Sequence, residues 1–296
     1  MNQFVEIARP KINLTLRVLG KRSDGYHALA SLVAFADGPF DRVTLDCSSP
    51  PGVSVSGPFA GLITGANLLQ KVLDLVADAA GAATDNCPTL RTGHIRLEKN
   101  LPVAAGIGGG SADAAAALRA LCRANAELAT TMNWQSLAVK LGADVPVCFE
   151  NRAAWMTGIG EQLTPIPDLP SLDIVLVNPL GTVPPDKTAR VFRALPAEHL
   201  PTGHVDPLPP GVLTREALIS HIDGGNDLVR AASKIMPAIW DVLGALRSTP
   251  SCRVAAMSGA GPTCLAVYDD ARTSTAAAEM IAARHPGWWV STARIR

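Results

Sequence analysis

Between Ala105 and Ser111 the chain reads AGIGGGS, four glycines in five residues, and runs straight on into ADAAAALRAL. Glycine opens backbone dihedrals that a Cβ forbids, and it lets several main-chain N–H groups converge on one anion. A helix beginning at Ser111 adds unpaired N–H groups and the positive end of its dipole. The run therefore has two readings: a phosphate cradle, or a glycine-rich turn in which Ser111 is only an N-cap. Two familiar loops are excluded by spelling. A GxGxxG dinucleotide loop starting at Gly106 needs glycine where Ser111 stands, and the P-loop needs a lysine that the run lacks. A second stretch with chemistry in it is SDGYH, Ser23 to His27. An aromatic face can stack a flat base while a neighbouring polar group reads its edge. The same letters also spell an Asp-Gly hairpin turn.

These residues need elements to hold them. KINLTLRV alternates Ile12, Leu14, Leu16 and Val18 with Lys11, Asn13, Thr15 and Arg17, the period of a half-buried strand, and this puts Lys11 and Asn13 on one face. SLVAFAD, DRVTLD, GVSVSG and HIRLEKN read as further short strands, the last leading into the glycine run. ANLLQKVLDLVADAAG has helical spacing and stops at Gly81. A long alanine-rich helix is expected from Ser111, and a short one in WQSLAVKLG. Prolines bracket a buried-looking strand over 172–178, and the composition shift there puts a domain boundary near residue 165. Beyond it the pattern predicts a helix near 186–195, an irregular proline-rich loop near 196–212 and helices in TREALISHI and NDLVRAASKIMPAIWDVLGAL. Strands in CRVAAMSG and TCLAVYD, a helix in ARTSTAAAEMIAARH and a terminal strand follow, an α+β pattern.

Bulk properties narrow the function. At 296 residues two domains are the natural expectation. Lys plus Arg and Asp plus Glu both number 26, so no global field favours nucleic acid or an anionic membrane, and an anionic ligand has to be held locally. Cys47, Cys87, Cys122, Cys148, Cys252 and Cys264 are scattered, without metal-type spacing, which suits a reducing, cytoplasmic setting. Neither a signal peptide nor an apolar run of membrane-spanning length is read in the sequence.

The glycine run in LPVAAGIGGGSADAAAAL resembles the phosphate loop of the GHMP kinases. ARPKINLTLRVLGKRSDGYHAL, LGADVPVCF and MSGAGPTCLAVY accompany it in that family's order, from Ala8 to Tyr268. The likeness is to the branch that phosphorylates a cytidine-diphosphate methylerythritol in non-mevalonate isoprenoid synthesis. It implies a two-domain α+β GHMP kinase fold, with an N-terminal ATP-binding domain (1–164), a C-terminal two-layer α/β sandwich (165–296) and an active site in the cleft between them. It implies transfer of the γ-phosphoryl group of ATP to the 2-hydroxyl of the methylerythritol unit. By the same resemblance Asp144 matches the catalytic Asp and Lys11 its partner. Asn67, Lys99, Pro102, Gly106, Gly108, Gly109, Gly110 and Ser111 match the nucleotide side, and Asn13, Tyr26, His27, Thr188 and Phe192 match substrate-binding positions.

Mg²⁺ is implied because it neutralises ATP phosphates. No carboxylate is assigned to it: Asp113 and Glu161 are candidates by type, and solvated helix or turn residues are the better reading. One region departs from the family. LGTVPPDKTARVF replaces a VST-like turn, although Thr188 and Phe192 keep their spacing. Ala260 stands where Ser is common. The DGYH segment separates this branch from kinases of homoserine or mevalonate, whose substrates carry no base. Retention of Lys11 and Asp144 argues against a non-catalytic nucleotide sensor. The implied protein acts on a small molecule, as a monomer or weak homodimer, with neither nucleic acid nor membrane as partner.

Overall fold

Alternating runs become strands and alanine-rich runs become helices, as their periods dictate. The computed structural model describes residues 2–63, 68–81, 90–128, 132–196, 198–201, 203–204, 206–207, 209–211 and 213–296. In chain order the strands begin with β1 (Gln3–Ala8), β2 (Lys11–Asn13), β3 (Arg17–Lys21), β4 (His27–Asp37), β5 (Asp41–Asp46), β6 (Gly52–Ser56) and β7 (His94–Glu98). They continue with β8 (Ala154–Thr157), β9 (Gln162–Pro165), β10 (Leu172–Asn178), β11 (Val254–Met257), β12 (Cys264–Tyr268) and β13 (Trp289–Ile295). The α-helices of the first half are α1 (Leu68–Gly81), α2 (Gly109–Ala124), α3 (Trp134–Leu141) and α4 (Val145–Glu150). Those of the second are α5 (Lys187–Arg193), α6 (Arg215–Asp223), α7 (Val229–Ile235), α8 (Ala238–Arg247) and α9 (Ala271–Arg284).

One compact unit comprises Met1–Pro10, Phe40–Val103 and Gly108–Asn151. Its sheet has the order β1-β5-β7-β6, antiparallel except for the parallel β6–β7 pair. Helix α2 packs on β1 and β5 and also meets α1, α3 and α4. It is accordingly buried nearly all round, with every residue from Ala112 to Leu118 inside. Alanine lets so many neighbours approach one helix. Arg119 of α2 then ties the layers: its Nε donates to Glu6 Oε2 at 3.0 Å, Nη2 to the Ile7 carbonyl at 2.9 Å and Nη1 to the Cys148 carbonyl at 2.7 Å.

The other unit comprises Lys11–Pro39, Ala104–Ile107 and Arg152–Arg296. Its nine-stranded sheet runs β11-β12-β10-β13-β4-β8-β9, with β2 and β3 paired to β4. Strand β10 keeps the predicted bounds 172–178, and its apolar run lies between β12 and β13, Val175 opposite both Ala266 and Thr292. Core residues include Val177, Ile239, Leu243, Tyr268 and Ile281, with the Tyr268 hydroxyl 2.7 Å from Thr249 Oγ1. The units interleave in sequence and so divide differently from a single cut near residue 165. The reason is β4: it pairs with β13 through Arg294 opposite Asp37 and with β8 through Leu32 opposite Trp155, which draws residues 11–39 into the larger sheet.

Two local expectations change. The strand read over 11–18 breaks into β2 and β3, and its polar face is buried: Lys11, Asn13 and Thr15 are all inside. Each is satisfied there, Thr15 Oγ1 for example accepting the Leu32 N–H at 3.1 Å. The long helix read over NDLVRAASKIMPAIWDVLGAL divides at Met236, which turns extended (φ −130°, ψ 82°) ahead of Pro237.

Candidate active site

Helix α2 begins at Gly109, two residues before the expected start. Gly108 occupies the N-cap in the left-handed region (φ 61°, ψ 20°), so Ser111 lies inside the first turn and is not the cap. The N–H groups at the start of such a helix have no intrahelical acceptor. A Cβ built on Gly110 meets nothing within 4 Å, so the glycine face of this turn is open.

Lys99 does not reach outward. It is buried beneath that turn, close enough that a Cβ on Gly109 would stand 3.2 Å from its Nζ. The ammonium donates to Asp41 Oδ2 at 2.5 Å and to Asp113 Oδ2 at 2.6 Å. Asp41 Oδ1 accepts the N–H groups of Asn100 (2.5 Å) and Leu101 (2.8 Å), which fixes the turn leading through the buried Pro102 toward the glycines. Asp113 is thus not the solvated helix residue expected: it is buried, and its Oδ1 has no hydrogen-bond partner. Burial opposes the Lys99 charge, and Asp113 and Asp41 outweigh it, holding its pKa above the usual lysine range.

Two carboxylates around one buried cation cannot both ionise without a net charge in the interior. Burial, held back by Lys99 and reinforced by Asp41, pushes the Asp113 carboxyl up to about 8. An acid raised from 3.8 in this way contributes stability that is fully present below the unfolded value and is lost as pH rises through the folded one. Asp113→Asn, which cannot ionise, is therefore expected to gain on the parent chain in melting temperature as pH rises from about 5 to about 9. Thermal unfolding followed by circular dichroism reads this directly; a gap that stays constant across the series would mean that Asp113 is ionised throughout.

Residues 104–107 belong to the second unit and pack there against the SGAGP turn. Gly106 (φ 80°) has no room for a side chain, since a Cβ would lie 2.5 Å from the Gly261 carbonyl oxygen and 2.8 Å from that of Ser258. Ser258 Oγ donates to the Gly106 carbonyl at 3.0 Å and accepts the Asn13 N–H at 3.1 Å. Asn13 Oδ1 accepts from Lys11 Nζ at 3.1 Å, and its Nδ2 donates to Ser31 Oγ at 2.8 Å. Asn226 Nδ2 holds the turn itself through the carbonyls of Met257 (2.9 Å) and Gly259 (2.8 Å). So PKIN, the start of the glycine run and SGAGP, far apart in sequence, form one hydrogen-bonded cluster. Ser258, Ser31 and Asn226 were not singled out from sequence; for Ser258 the signal was its place at the head of the glycine turn.

SDGYH does form the β3–β4 turn, with Asp24 Oδ1 accepting the Tyr26 N–H at 3.1 Å and Gly25 at φ 89°. The turn also displays the rings: Tyr26 is 62% exposed, and His27 stacks on Phe192 with centroids 5.3 Å apart and planes 27° from parallel. Burial, aided by the Lys21 charge, lowers the His27 pKa and favours the neutral imidazole. A cavity of about 410 Å³ lies alongside, lined by residues including Lys21, Arg22, Ser23, His199 and His204. Beyond Pro184-Pro185 the chain enters α5 (Lys187–Arg193). The Lys187 N–H caps back onto the Pro184 carbonyl at 3.1 Å, and α5 carries Thr188, exposed, and Phe192 one turn apart.

Asp144 belongs to the first unit, at the N-cap of α4, where its carbonyl accepts the Cys148 N–H at 3.2 Å and its side chain makes no cap bond. Lys11 belongs to the second. Glu161 closes a surface turn by accepting the Ile159 N–H at 2.6 Å. Asn67 lies outside the described residues. No helix among the described residues is long and apolar enough to cross a membrane.

Comparison with known proteins gives this arrangement its class. The family model of the GHMP kinase N-terminal domain matches residues 67–152 and that of the GHMP kinase C-terminal domain residues 215–287, so fold and glycine run define a GHMP-type small-molecule kinase. A relative from Rhodopseudomonas palustris (strain HaA2), named 4-diphosphocytidyl-2-C-methyl-D-erythritol kinase, is 46% identical over 293 residues, covering 96% of this chain and 95% of its own length. One of the same name from Methylobacterium radiotolerans is 45% identical with both chains fully covered. A crystal structure of 4-(cytidine 5'-diphospho)-2C-methyl-D-erythritol kinase superposes with a TM-score of 0.72 at 30% identity, covering 98% of this chain and 99% of that one. The chain belongs to the 4-diphosphocytidyl-2-C-methyl-D-erythritol kinase family.

Proposed function

We infer that this chain transfers the γ-phosphoryl group of ATP to the 2-hydroxyl of 4-diphosphocytidyl-2-C-methyl-D-erythritol, releasing the 2-phosphate and ADP, a step in non-mevalonate isoprenoid precursor synthesis. The observation that carries this is full-length identity of 45–46% with relatives bearing that kinase's name. Phosphoryl transfer asks mainly for alignment and charge neutralisation. The open first turn of α2, from Gly108 to Ser111, suits the phosphates of ATP, with Lys99 as a buried positive charge directly beneath it. Asp144 takes the hydroxyl proton. Lys11, oriented by Asn13, offsets negative charge on the transferred group. The paired rings of His27 and Phe192, with exposed Tyr26 next in the chain, suit the cytosine base.

Bound Mg²⁺ would neutralise the nucleotide phosphates. Among the described residues no three His, Cys, Asp or Glu side chains are grouped to hold a metal. Asp113 and Glu161 are engaged by Lys99 and by the Ile159 N–H. We read the enzyme as cytoplasmic, a setting that the free thiols of Cys47, Cys122, Cys148, Cys252 and Cys264 support. We also read it as a monomer or weak homodimer that binds neither nucleic acid nor membrane.

A coupled ADP-release assay with Mg²⁺-ATP tests the reading, run with the cytidylated substrate, mevalonate, homoserine and no acceptor. ADP is expected with the first alone. Saturable ATP binding without turnover on any acceptor would replace the kinase by a nucleotide-binding protein on the same fold.

A further inference from the structure

Lys187 of α5 is buried, 6% exposed, and its Nζ donates to the Ala104 carbonyl at 2.8 Å and to the Gly261 carbonyl. It thereby clamps the segment entering the glycine run to the SGAGP turn. Ala104 itself holds a left-handed backbone (φ 54°), a conformation uncommon for a residue with a Cβ. Both acceptors are neutral. Among the described residues no carboxylate forms an ion pair with Lys187, whereas Asp186, its neighbour in sequence, pairs with Arg190 and Arg193. An ammonium has three donors, and two are engaged here. Burial alone lowers the Lys187 pKa to about 8. A buried cation without a counter-charge works against folding, and a clamp between carbonyls does not require a full charge. The reaction inferred above brings two anions to this chain: the triphosphate of ATP and the diphosphate of the acceptor.

We propose that Lys187 is a further anion-binding and positioning residue of the kinase, clamping residues 104–106 to the 259–261 turn and directing its remaining N–H to a phosphate oxygen of a bound reactant. The proposal rests on the phosphoryl-transfer reading. Two variants separate charge from clamp. Lys187→Met removes both, and Lys187→Gln removes the charge while keeping two N–H donors.

Both variants are expected to melt at or above the parent temperature at pH 7, because a lone buried charge is gone. Both are also expected to raise the KM of one reactant about 10- to 100-fold, the range for losing a hydrogen bond to a charged partner. A rise confined to ATP assigns the triphosphate, and one confined to the cytidylated substrate its diphosphate. A clamp without anion binding would instead leave both KM values of Lys187→Gln at parental levels, or lower the melting temperature of Lys187→Met with kcat reduced and KM unchanged; either result overturns the proposal. Calorimetric titration of parent and Lys187→Gln with ATP and with the cytidylated substrate gives the same comparison without turnover. If the parent fails to phosphorylate any acceptor, the kinase reading falls, and weaker binding of either compound by Lys187→Gln still marks Lys187 as an anion site, while unchanged binding of both removes it.

Discussion

Asp144→Asn is expected to lower kcat by about 10²- to 10⁴-fold while ATP binding stays near the parental value. The amide keeps the shape of the carboxylate and cannot take up the hydroxyl proton. Little else should change. The α4 cap bond comes from the Asp144 main-chain carbonyl, which the substitution leaves in place, so the first turn of the helix is kept. Helix α4 is held from outside as well, through Arg119 on the Cys148 carbonyl. The melting temperature should accordingly move by no more than about 2 °C. Steady-state kinetics together with calorimetric ATP titration decides the matter. Parental turnover in the variant would remove Asp144 from the chemistry, and a large fall in melting temperature would reassign it to the support of α4.

Lys99→Met is expected to have the largest effect on stability. The change deletes the cation between Asp41 and Asp113 and leaves the Asp41 carboxylate and the Asp113 carboxyl buried without it. Breaking a buried ion pair from one side costs about 3–5 kcal/mol. At roughly 2–4 °C per kcal/mol for a domain of this size, the melting temperature should fall by about 10 °C. The loss should reach nucleotide binding too, because Lys99 lies under Gly109 and Asp41 holds the Asn100 and Leu101 N–H groups. Adding Asp113→Leu to Lys99→Met removes a buried polar carboxyl that has lost its Lys99 partner and should recover part of the stability, a coupling that a double-mutant cycle reads out. Absence of any recovery would place the loss at Asp41, the other carboxylate that Lys99 pairs with.

Much of this chain was legible before any coordinates. Strand β10, the strand leading into the glycine run, the alanine-rich α2 and the order of elements after residue 215 follow from hydrophobic period and from Gly and Pro punctuation. Such signals act over a few residues, which is why they survive in sequence. The family motifs were legible as well, by spelling and order, and the roles proposed for Lys11, Asn13, Tyr26, His27, the glycines and Asp144 rest on that match. Other features depend on partners far along the chain. That Lys99 is a buried cation follows from Asp41, 58 residues away, and the need for glycine at 106 follows from Ser258 and Gly261. The start of α2 at Gly109, the break between β2 and β3, the stacking of His27 on Phe192 and the isolation of Lys187 belong to the same class. Local propensity is set by neighbours in sequence, but the burial of a charge and the room for a Cβ are set by whatever the fold brings against them, and only tertiary structure decides that.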